Sequence, residues 1–437
     1  MSQVHDTVLR LVELYEPLRT TYQQAGGTPV QRVHHELALE PAIERAEPSL
    51  PIERVDRLIT DYADPDRTTA ELVSRPIAMT DSLGWQGVLV STDGAPMFLS
   101  LSFSHLILDV WSVIELGRQF RELVAAPHCA AVTARIGPSP RELARRQQQE
   151  LSSPRQDGIE RYWRRILSDD LIHQLPTLAP GATSNRIQAT LHSRHLGRLV
   201  AQVGKQLGAT PPAVLLALVA AGLSAHTGSA RFAISVMSSN RFAPELQHAV
   251  GTLNQLIPVL VTVDQGQSLA EHAKKLHWAS ARAYRYSSYD LDRVAAIAAT
   301  TGPQAGSNGW FNDLFPCWFN YLQFDDHPAG DGDPAEDNPA ELAWTPLARQ
   351  YGQPFDVRVT LQGGLTSLAL RTDPDVIDAQ ALASILRTVA LGVQRLATDS
   401  SSPIGGLWTS AGQQLAPLLF PEYVEPADGR ATGLMPV

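Results

Sequence analysis

The run PPAVLLALVAAGLSAHTG at 211–228 constrains the fold more than any other part of this sequence. It is apolar on every side, so a helix formed from it must be buried all around and not along a single stripe. Thr210 followed by two prolines is typical of a helix start, and Gly228 of a helix end. The run is shorter than the roughly 20 residues that cross a bilayer. We therefore predict a buried helix in a soluble, cytoplasmic protein without membrane contact.

Helix and strand signals alternate along the rest of the chain. The stretches around Asp93-Gly94 and Gly363-Gly364 alternate apolar and polar residues on both sides of a turn signal, so each predicts a β-hairpin. Periodicity predicts helices at 4–22 (with Pro17 kinking or ending it early), 112–123, 155–168, 195–208, 268–285 and 378–397, and strands at 231–238 and 317–324. Residues 254–263 are an apolar run. The order indicates an α/β fold with mixed, mostly antiparallel sheets. A Pro-, Gly- and Ser-rich stretch at 175–186 is the best candidate for a domain boundary.

Composition excludes several classes of protein. With 437 residues, 44% of them apolar, the chain is long enough for two or three domains with sizeable cores. A net charge of -10 argues against nucleic acid as a partner. Two cysteines make neither a zinc site nor a disulfide scaffold. The N-terminal stretch lacks the basic start and apolar region of a signal peptide.

The stretch FLSLSFSHLILDVWS at 98–112 places an ionisable histidine and an aspartate four residues apart at the end of an apolar strand. If the extended conformation persists, His105 continues the inward parity of the strand. A neutral imidazole there can accept a proton from an amine or hydroxyl nucleophile, with Asp109 orienting it or holding the loop. From the residues alone, a hydrogen-bonded core histidine and a helix-capping aspartate remain an alternative. Ser112 is the expected N-cap of the next helix.

This stretch resembles the H-H-x-x-x-D-G signature of the condensation domains of nonribosomal peptide synthetases, within the chloramphenicol acetyltransferase superfamily. Further stretches resemble the same family in the same order, and the resemblance covers nearly the whole chain. They are LRT at 18–20, RYWRRIL at 161–167, SNRFAPELQHAVGTLNQLIPVLV at 239–261, LFPCWFNYLQF at 314–324, and PFDVRVTLQGGLTSLALRTDPDVIDAQALASIL at 354–386. Each stretch alone is a weak signal, and their common order makes the signal strong.

The resemblance implies two acetyltransferase-like halves, here 1–180 and 181–437, that form a V-shaped pseudo-dimer with a tunnel between them. An acyl thioester on the phosphopantetheine arm of a carrier protein would enter from one side. An amine or hydroxyl acceptor, or a second carrier protein, would enter from the other. His105 matches the second histidine of the motif, which acts as a base or orients the nucleophile. Asp109 matches a structural aspartate, which the resemblance pairs with Arg19 in a salt bridge.

The sequence departs from the family pattern at three points. Ser104 replaces the first histidine, whose role in the family is mainly structural. Val110 replaces the motif glycine, so we expect an altered loop after His105, because valine resists backbone geometry that glycine allows. The family's opening strand has no match, because the chain starts almost directly at the first helix.

Two further groups are candidates for substrate binding. Ser238 and Asn240 are expected to hydrogen-bond the tethered arm, and Arg241 to shape the tunnel or meet a phosphate; the alternative is that they satisfy backbone groups at a strand end. The acceptor pocket is expected to be lined by Trp310, Trp318, Asn320 and Tyr321. For the tryptophans, core packing remains equally open.

The resemblance therefore implies a condensation enzyme of natural-product biosynthesis. The sequence carries no adenylation motif, carrier site, nucleophile elbow, Walker loop or metal-ligand set, which favours a free-standing enzyme without a cofactor of its own. We expect a monomer, because two halves of one chain suffice to build the tunnel. Two alternatives stay open. One is a non-catalytic recruitment module that binds a carrier protein or a tailoring enzyme, and the other is an acyltransferase that uses acyl-coenzyme A.

Overall fold

The computed structural model describes residues 2–26, 28–35, 50–59, 63–80, 82–126, 135–150, 153–169, 171–172, 175, 186–301, 314–324, 341–346 and 355–407. Its internal contacts divide the chain into two units. The first unit comprises 1–151, 239–254 and 434–437, and the second comprises 152–238 and 255–433. The second unit thus begins at residue 152, whereas the sequence analysis placed the boundary at 180/181. Trp310 lies outside the described residues.

The first predicted hairpin forms in the first unit. Asp93 and Gly94, with φ angles of 51° and 75°, make its turn. Aspartate and glycine tolerate this left-handed conformation better than other residues. The described elements of this unit are α1 (Ser2–Leu14), β1 (Thr20–Ala25), β2 (Thr28–Val33), β3 (Ile52–Asp56), α2 (Asp64–Ser74), β4 (Trp85–Thr92), β5 (Ala95–Phe103), α3 (Val110–Ala125) and α4 (Pro140–Glu150). β1 pairs antiparallel with β2, while β3, β4 and β5 form a mixed sheet.

The predicted helix at 4–22 is shorter than its apolar pattern suggested. α1 ends at Leu14, and a 3-10 turn over Glu16–Arg19 leads directly into β1. Pro17 lies in this turn, so the expectation that it ends the helix early is confirmed. α1 packs its buried side chains, among them Val8 and Leu11, against the core that α3 and β4 also form.

The second unit is built on one mixed sheet of seven described strands in the order β10-β6-β12-β11-β9-β7-β8. The β11–β9 and β9–β7 pairs are parallel and the others antiparallel, so the predicted mixed α/β class is confirmed. The strands are β6 (Ile187–Ser193), β7 (Arg231–Ser238), β8 (Gln255–Thr262), β9 (Cys317–Gln323), β10 (Glu341–Pro346), β11 (Phe355–Gln362) and β12 (Leu365–Thr372). The second predicted hairpin, β11–β12, turns at Gly363 and Gly364, both with positive φ.

The described helices of the second unit include the predicted buried one. They are α5 (Pro154–Ser168), α6 (Arg194–Leu207), α7 (Pro211–Thr227), α8 (Leu269–Tyr284), α9 (Leu291–Thr301) and α10 (Ala379–Thr398). All residues of α7 from Ala213 to Ser224 are buried, as its uniform apolarity predicts. Among the described residues, no single helix is long and apolar enough to cross a membrane; α6 and α7 meet that test only as a pair bent by 102°.

One chain segment, residues 239–254, leaves the second unit and joins the first. It connects β7 and β8, which are neighbours in the seven-stranded sheet, yet its own contacts are with the first unit. Val250 of this segment is buried in the same core as Trp85 and Leu116. We call residues 239–254 the crossover segment.

Candidate active site

The turn that presents His105 begins where β5 ends, at Phe103. The Ser104 N–H donates to the Gly84 carbonyl at 2.8 Å, and the Ser104 carbonyl accepts from the Ile107 N–H at 3.0 Å. The Ser104 hydroxyl oxygen accepts from the Leu106 N–H at 3.3 Å. Ser104 therefore closes the turn through its backbone and its side chain, and the extended conformation on which an inward His105 depended does not persist.

His105 lies on the exposed side of this turn. Its ring makes no hydrogen bond or ion pair with any other residue that the structure describes. Its carbonyl accepts a hydrogen bond from the Thr252 hydroxyl at 2.7 Å, which ties the turn to the crossover segment. The backbone at His105 is thus held on both sides, while the imidazole stays accessible to a substrate.

Asp109 is 1% exposed and caps the N-terminus of α3, where the sequence analysis had placed Ser112. One carboxylate oxygen, Oδ1, accepts from the Ser112 N–H at 3.0 Å. The other, Oδ2, accepts from the backbone N–H groups of Leu253 and Asn254 at 3.0 Å and 3.2 Å. Ser112 Oγ lies 2.9 Å from Oδ1. Asp109 therefore holds the helix start and the crossover segment, and it does not contact the His105 ring.

The charge of Asp109 is balanced by Arg241 of the crossover segment. The guanidinium donates from Nη1 to Oδ2 at 2.7 Å and from Nη2 to Oδ1 at 2.9 Å. This is a bidentate pair between two buried side chains. Arg241 also donates to the carbonyls of Ser239 and Ala249 at 3.1 Å each. This geometry meets the requirement that a buried charge be paired and hydrogen-bonded.

The predicted salt bridge between Arg19 and Asp109 is wrong. Arg19 Nη1 donates to the His34 carbonyl at 2.6 Å, and the described residues show no ion pair from Arg19 to Asp109. Arg19 directly precedes β1 and His34 directly follows β2, so this hydrogen bond joins the open end of the β1–β2 hairpin. Asp109 therefore pairs with Arg241 of the crossover segment and not with Arg19.

Val110 and Asn240 differ in their backbone conformation. Val110 is the first residue of α3, and among the described non-glycine residues only Asp93 and Asn240 have positive φ. Valine in place of the motif glycine therefore strains no backbone here, contrary to the expected loop change. Asn240 has a φ of 53° and supplies the left-handed residue before Arg241. Its side-chain amide donates to the Leu253 carbonyl at 2.8 Å.

The remaining predicted site residues belong to the second unit. Ser238 is buried at the end of β7, with its hydroxyl 2.9 Å from that of Ser287. Trp318 and Asn320 lie on one face of β9, and the Trp318 Nε1 and Asn320 Oδ1 atoms are buried without a hydrogen-bond partner among the described residues. Buried polar atoms are normally satisfied, so these two mark a place where a polar ligand would gain hydrogen bonds. Among the residues described, no cluster of His, Cys, Asp or Glu side chains is suited to hold a metal ion.

Comparison with known proteins identifies the family and the fold of this chain. The family model of the condensation domain matches residues 1–358. The beauvericin nonribosomal cyclodepsipeptide synthetase of Beauveria bassiana is 25% identical over 316 residues, which cover 68% of this chain and 9% of the synthetase. The phosphinothricin tripeptide synthetase PhsC of Streptomyces viridochromogenes is 25% identical over 282 residues, covering 61% of this chain and 25% of that protein. This chain thus spans a quarter or less of the length of these relatives.

Solved structures show the same fold. The condensation domain studied for chain release from the enacyloxin polyketide synthase superposes with a TM-score of 0.70 at 16% identity, covering 92% of this chain and 77% of that one. At this identity the likeness concerns the fold alone.

Proposed function

Because this chain belongs to the condensation-domain family, whose members form amide or ester bonds, we propose that it transfers an acyl or aminoacyl group from a carrier protein to an amine or hydroxyl acceptor. The donor is a thioester on the phosphopantetheine arm of that carrier, so the enzyme needs no cofactor of its own. We place it in natural-product biosynthesis, as a cytoplasmic monomer that acts on loaded carrier proteins. The observation that carries the proposal is the retained pair of His105 and a fully satisfied Asp109.

His105 acts as the proton acceptor in this proposal. Its neutral imidazole takes the proton from the acceptor's N–H or O–H group as that group attacks the thioester carbonyl. The carbon–sulfur bond breaks, the new amide or ester remains, and the proton passes from His105 to the departing thiolate. Asp109 acts as a positioning residue, because it holds the start of α3 and the crossover segment that fixes the His105 carbonyl.

The test is acyl transfer by intact-mass spectrometry. Each carrier protein from the same genome is loaded with its acyl group and incubated with pooled amines and alcohols, with wild-type enzyme, His105→Ala or His226→Ala. His226 is an exposed histidine at the end of α7 and serves as the matched control. Unloading of one carrier by wild type and His226→Ala, but not by His105→Ala, is the expected result.

Two other outcomes separate the rival functions. If no protein unloads a carrier and yet one carrier or tailoring enzyme co-purifies equally with His105→Ala, the chain is a recruitment module. If acyl-coenzyme A replaces the loaded carrier at equal rate, the donor is the free coenzyme thioester. Either result overturns the carrier-dependent proposal.

A further inference from the structure

The two faces of the seven-stranded sheet differ in chemistry. Alternate residues on one face, such as Val357, Val359 and Leu370, are buried in the core with the helices. The other face carries Asp356, Arg358 and Arg371, together with the apolar Ala369 opposite Arg358. The register places Asp356 opposite Trp318 and Arg371, and places Arg358 opposite Asn320. Opposed residues of neighbouring strands share a face, so these side chains lie on one polar surface.

This polar surface carries more positive than negative charge on β12, β11 and β9. Asp356 is 3% exposed, and its carboxylate accepts from Arg186 Nη2 at 3.1 Å. Arg371 donates from Nε to the Gln188 side-chain oxygen at 2.6 Å, and Arg358 makes no hydrogen bond or ion pair with any described residue. Glu341 lies on the edge strand β10, which two further strands separate from β11. Arg358 and Arg371 therefore lack a hydrogen-bonded carboxylate partner among the described residues.

The arginines also act on one another. Burial lowers the pKa of Arg371, and Arg358 and Arg186 lower it further, while Asp356 raises it. Asp356 thus offsets part of the charge of Arg371, whereas Arg358 has no hydrogen bond or ion pair with a described residue. An oxyanion placed against the half-buried Arg358 guanidinium would reduce the cost of burying that charge.

Beside Arg358, β9 contributes two buried atoms of opposite hydrogen-bonding type that have no hydrogen-bond partner among the described residues. Trp318 Nε1 is a donor that needs an acceptor, and Asn320 Oδ1 is an acceptor that needs a donor. Asn320 lies directly across from Arg358, and Trp318 lies two residues along the same strand face. Neighbouring strands are about 4.8 Å apart, and alternate residues of a strand about 6.8 Å apart. Together with Arg371 on β12, these groups cover two strand spacings and two residues along the strands. That span matches a small molecule that carries an acid and an amine or hydroxyl.

We infer that this surface of the second unit binds the free carboxylate of the acceptor, through Arg358 and Arg371, and its amine or hydroxyl, through Asn320 Oδ1. The inference rests on the proposed function and narrows its acceptor to an amino acid or a hydroxy acid that is not esterified to a carrier. Trp318 Nε1 is the further donor to the same carboxylate. A neutral amine or a tethered acceptor supplies no carboxylate to the guanidinium of Arg358.

Binding to the full chain tests the inference without turnover. A panel of free amino acids and hydroxy acids is screened by saturation-transfer NMR, each beside its methyl ester, and each ligand found is measured by titration calorimetry. The expected result is an acid that binds wild type and whose ester binds at least tenfold more weakly. Arg358→Met should weaken the acid about 10-fold to 100-fold, the loss that one charge-assisted contact predicts, and leave the ester unchanged.

Arg54→Met is the matched control, because Arg54 is an exposed strand arginine in the first unit. It should change neither affinity. Arg358→Met should keep or raise the thermal midpoint of the unliganded chain, since it removes a half-buried cation that has no partner among the described residues. A large drop would contradict that account. Free 4′-phosphopantetheine is tested as a competitor of the acid and as a ligand of wild type and Arg358→Met. If it displaces the acid or loses affinity in Arg358→Met, the site holds the donor's phosphate and the carboxylate inference is overturned.

Two results overturn the inference outright, namely that no acid in the panel binds or that esters bind as tightly as acids. Transfer assays separate this failure from failure of the proposed function. If wild type unloads a carrier onto a neutral amine as well as onto any acid, the function stands and the carboxylate site does not. If an acid binds with the expected Arg358 dependence but no carrier is unloaded, the site stands and the carrier-dependent function does not.

Discussion

The bidentate pair of Asp109 and Arg241 predicts that replacing Arg241, but not Arg19, changes the stability in a way that depends on Asp109. Both partners are buried, and the pair joins α3 to the crossover segment. We consider Arg241→Met, Asp109→Asn and the double variant, with Arg19→Met as the parallel series for the arginine that the sequence analysis favoured.

The magnitudes follow from what each change leaves behind. Arg241→Met leaves a buried carboxylate that still accepts from the N–H groups of Ser112, Leu253 and Asn254. We therefore expect the lower end of the usual cost, about 3 kcal/mol. Asp109→Asn leaves a buried guanidinium whose remaining acceptors are the Ser112 hydroxyl and backbone carbonyls, and it turns an amide donor towards other donors. We expect the upper end there, about 5 kcal/mol.

The assay is urea unfolding of the full chain combined with hydrogen exchange of peptides that cover the crossover segment and the His105 turn. Exchange is needed because two units need not unfold as one transition. The double variant should recover at least about 2 kcal/mol of the summed single costs, whereas Asp109→Asn with Arg19→Met should be additive within about 0.5 kcal/mol. Single costs below about 1 kcal/mol, or coupling to Arg19 instead of Arg241, would refute the reasoning.

Further predictions concern catalysis, packing and pH. His105→Ala should lower the acyl-transfer rate about 100-fold to 10,000-fold, as loss of a general base does, with unchanged unfolding by urea; an unchanged rate would remove the histidine from the mechanism. In Gly137→Ala the added Cβ would lie 2.7 Å from the backbone nitrogen of Ala249. This change should destabilise the first unit by about 1–3 kcal/mol in the same unfolding assay, and an unaffected midpoint would contradict that contact. Burial lowers the pKa of His272 to about 4. The unfolded chain therefore binds more protons than the folded one between about pH 6.5 and about pH 4, and stability falls as pH falls through that window by roughly 3 kcal/mol. His272→Gln should flatten that part of the stability profile while His226→Gln should not, and equal profiles would show that other groups cause the slope.

Local structure was predictable from the sequence because residues that are close along the chain determine it. Both hairpin turns, the end of α1 near Pro17 and the burial of α7 follow from residue types within a few positions of each feature. The N-cap of α3 was within reach of the same reasoning, since an aspartate directly before a helical run is a common cap, and Ser112 was chosen instead.

The partner of Asp109 was not predictable in this way. Arg241 lies far away in sequence, and neither periodicity nor turn signals report a pairing at that distance. The sequence feature that could have indicated Arg241 was the Asn240-Arg241 dipeptide after β7. Asparagine tolerates the left-handed backbone conformation that Asn240 has directly before Arg241. The prediction that His105 points inward was wrong for a different reason. Parity carries through a strand, and β5 ends two residues before it.

The crossover segment also sets an order of events during synthesis. Asp109 leaves the ribosome well before Arg241, because the two are separated by 132 positions in the chain. At ordinary rates of translation this stretch takes on the order of 10 s to make. For that interval the nascent first unit holds a carboxylate whose cation does not yet exist, so the unit cannot complete its core while it waits. The start of the second unit, up to β7, is made before the first unit is finished. The first unit is therefore complete only after the chain has been made up to residue 254, and a gene cut at 151/152 would yield a first half without this counter-ion.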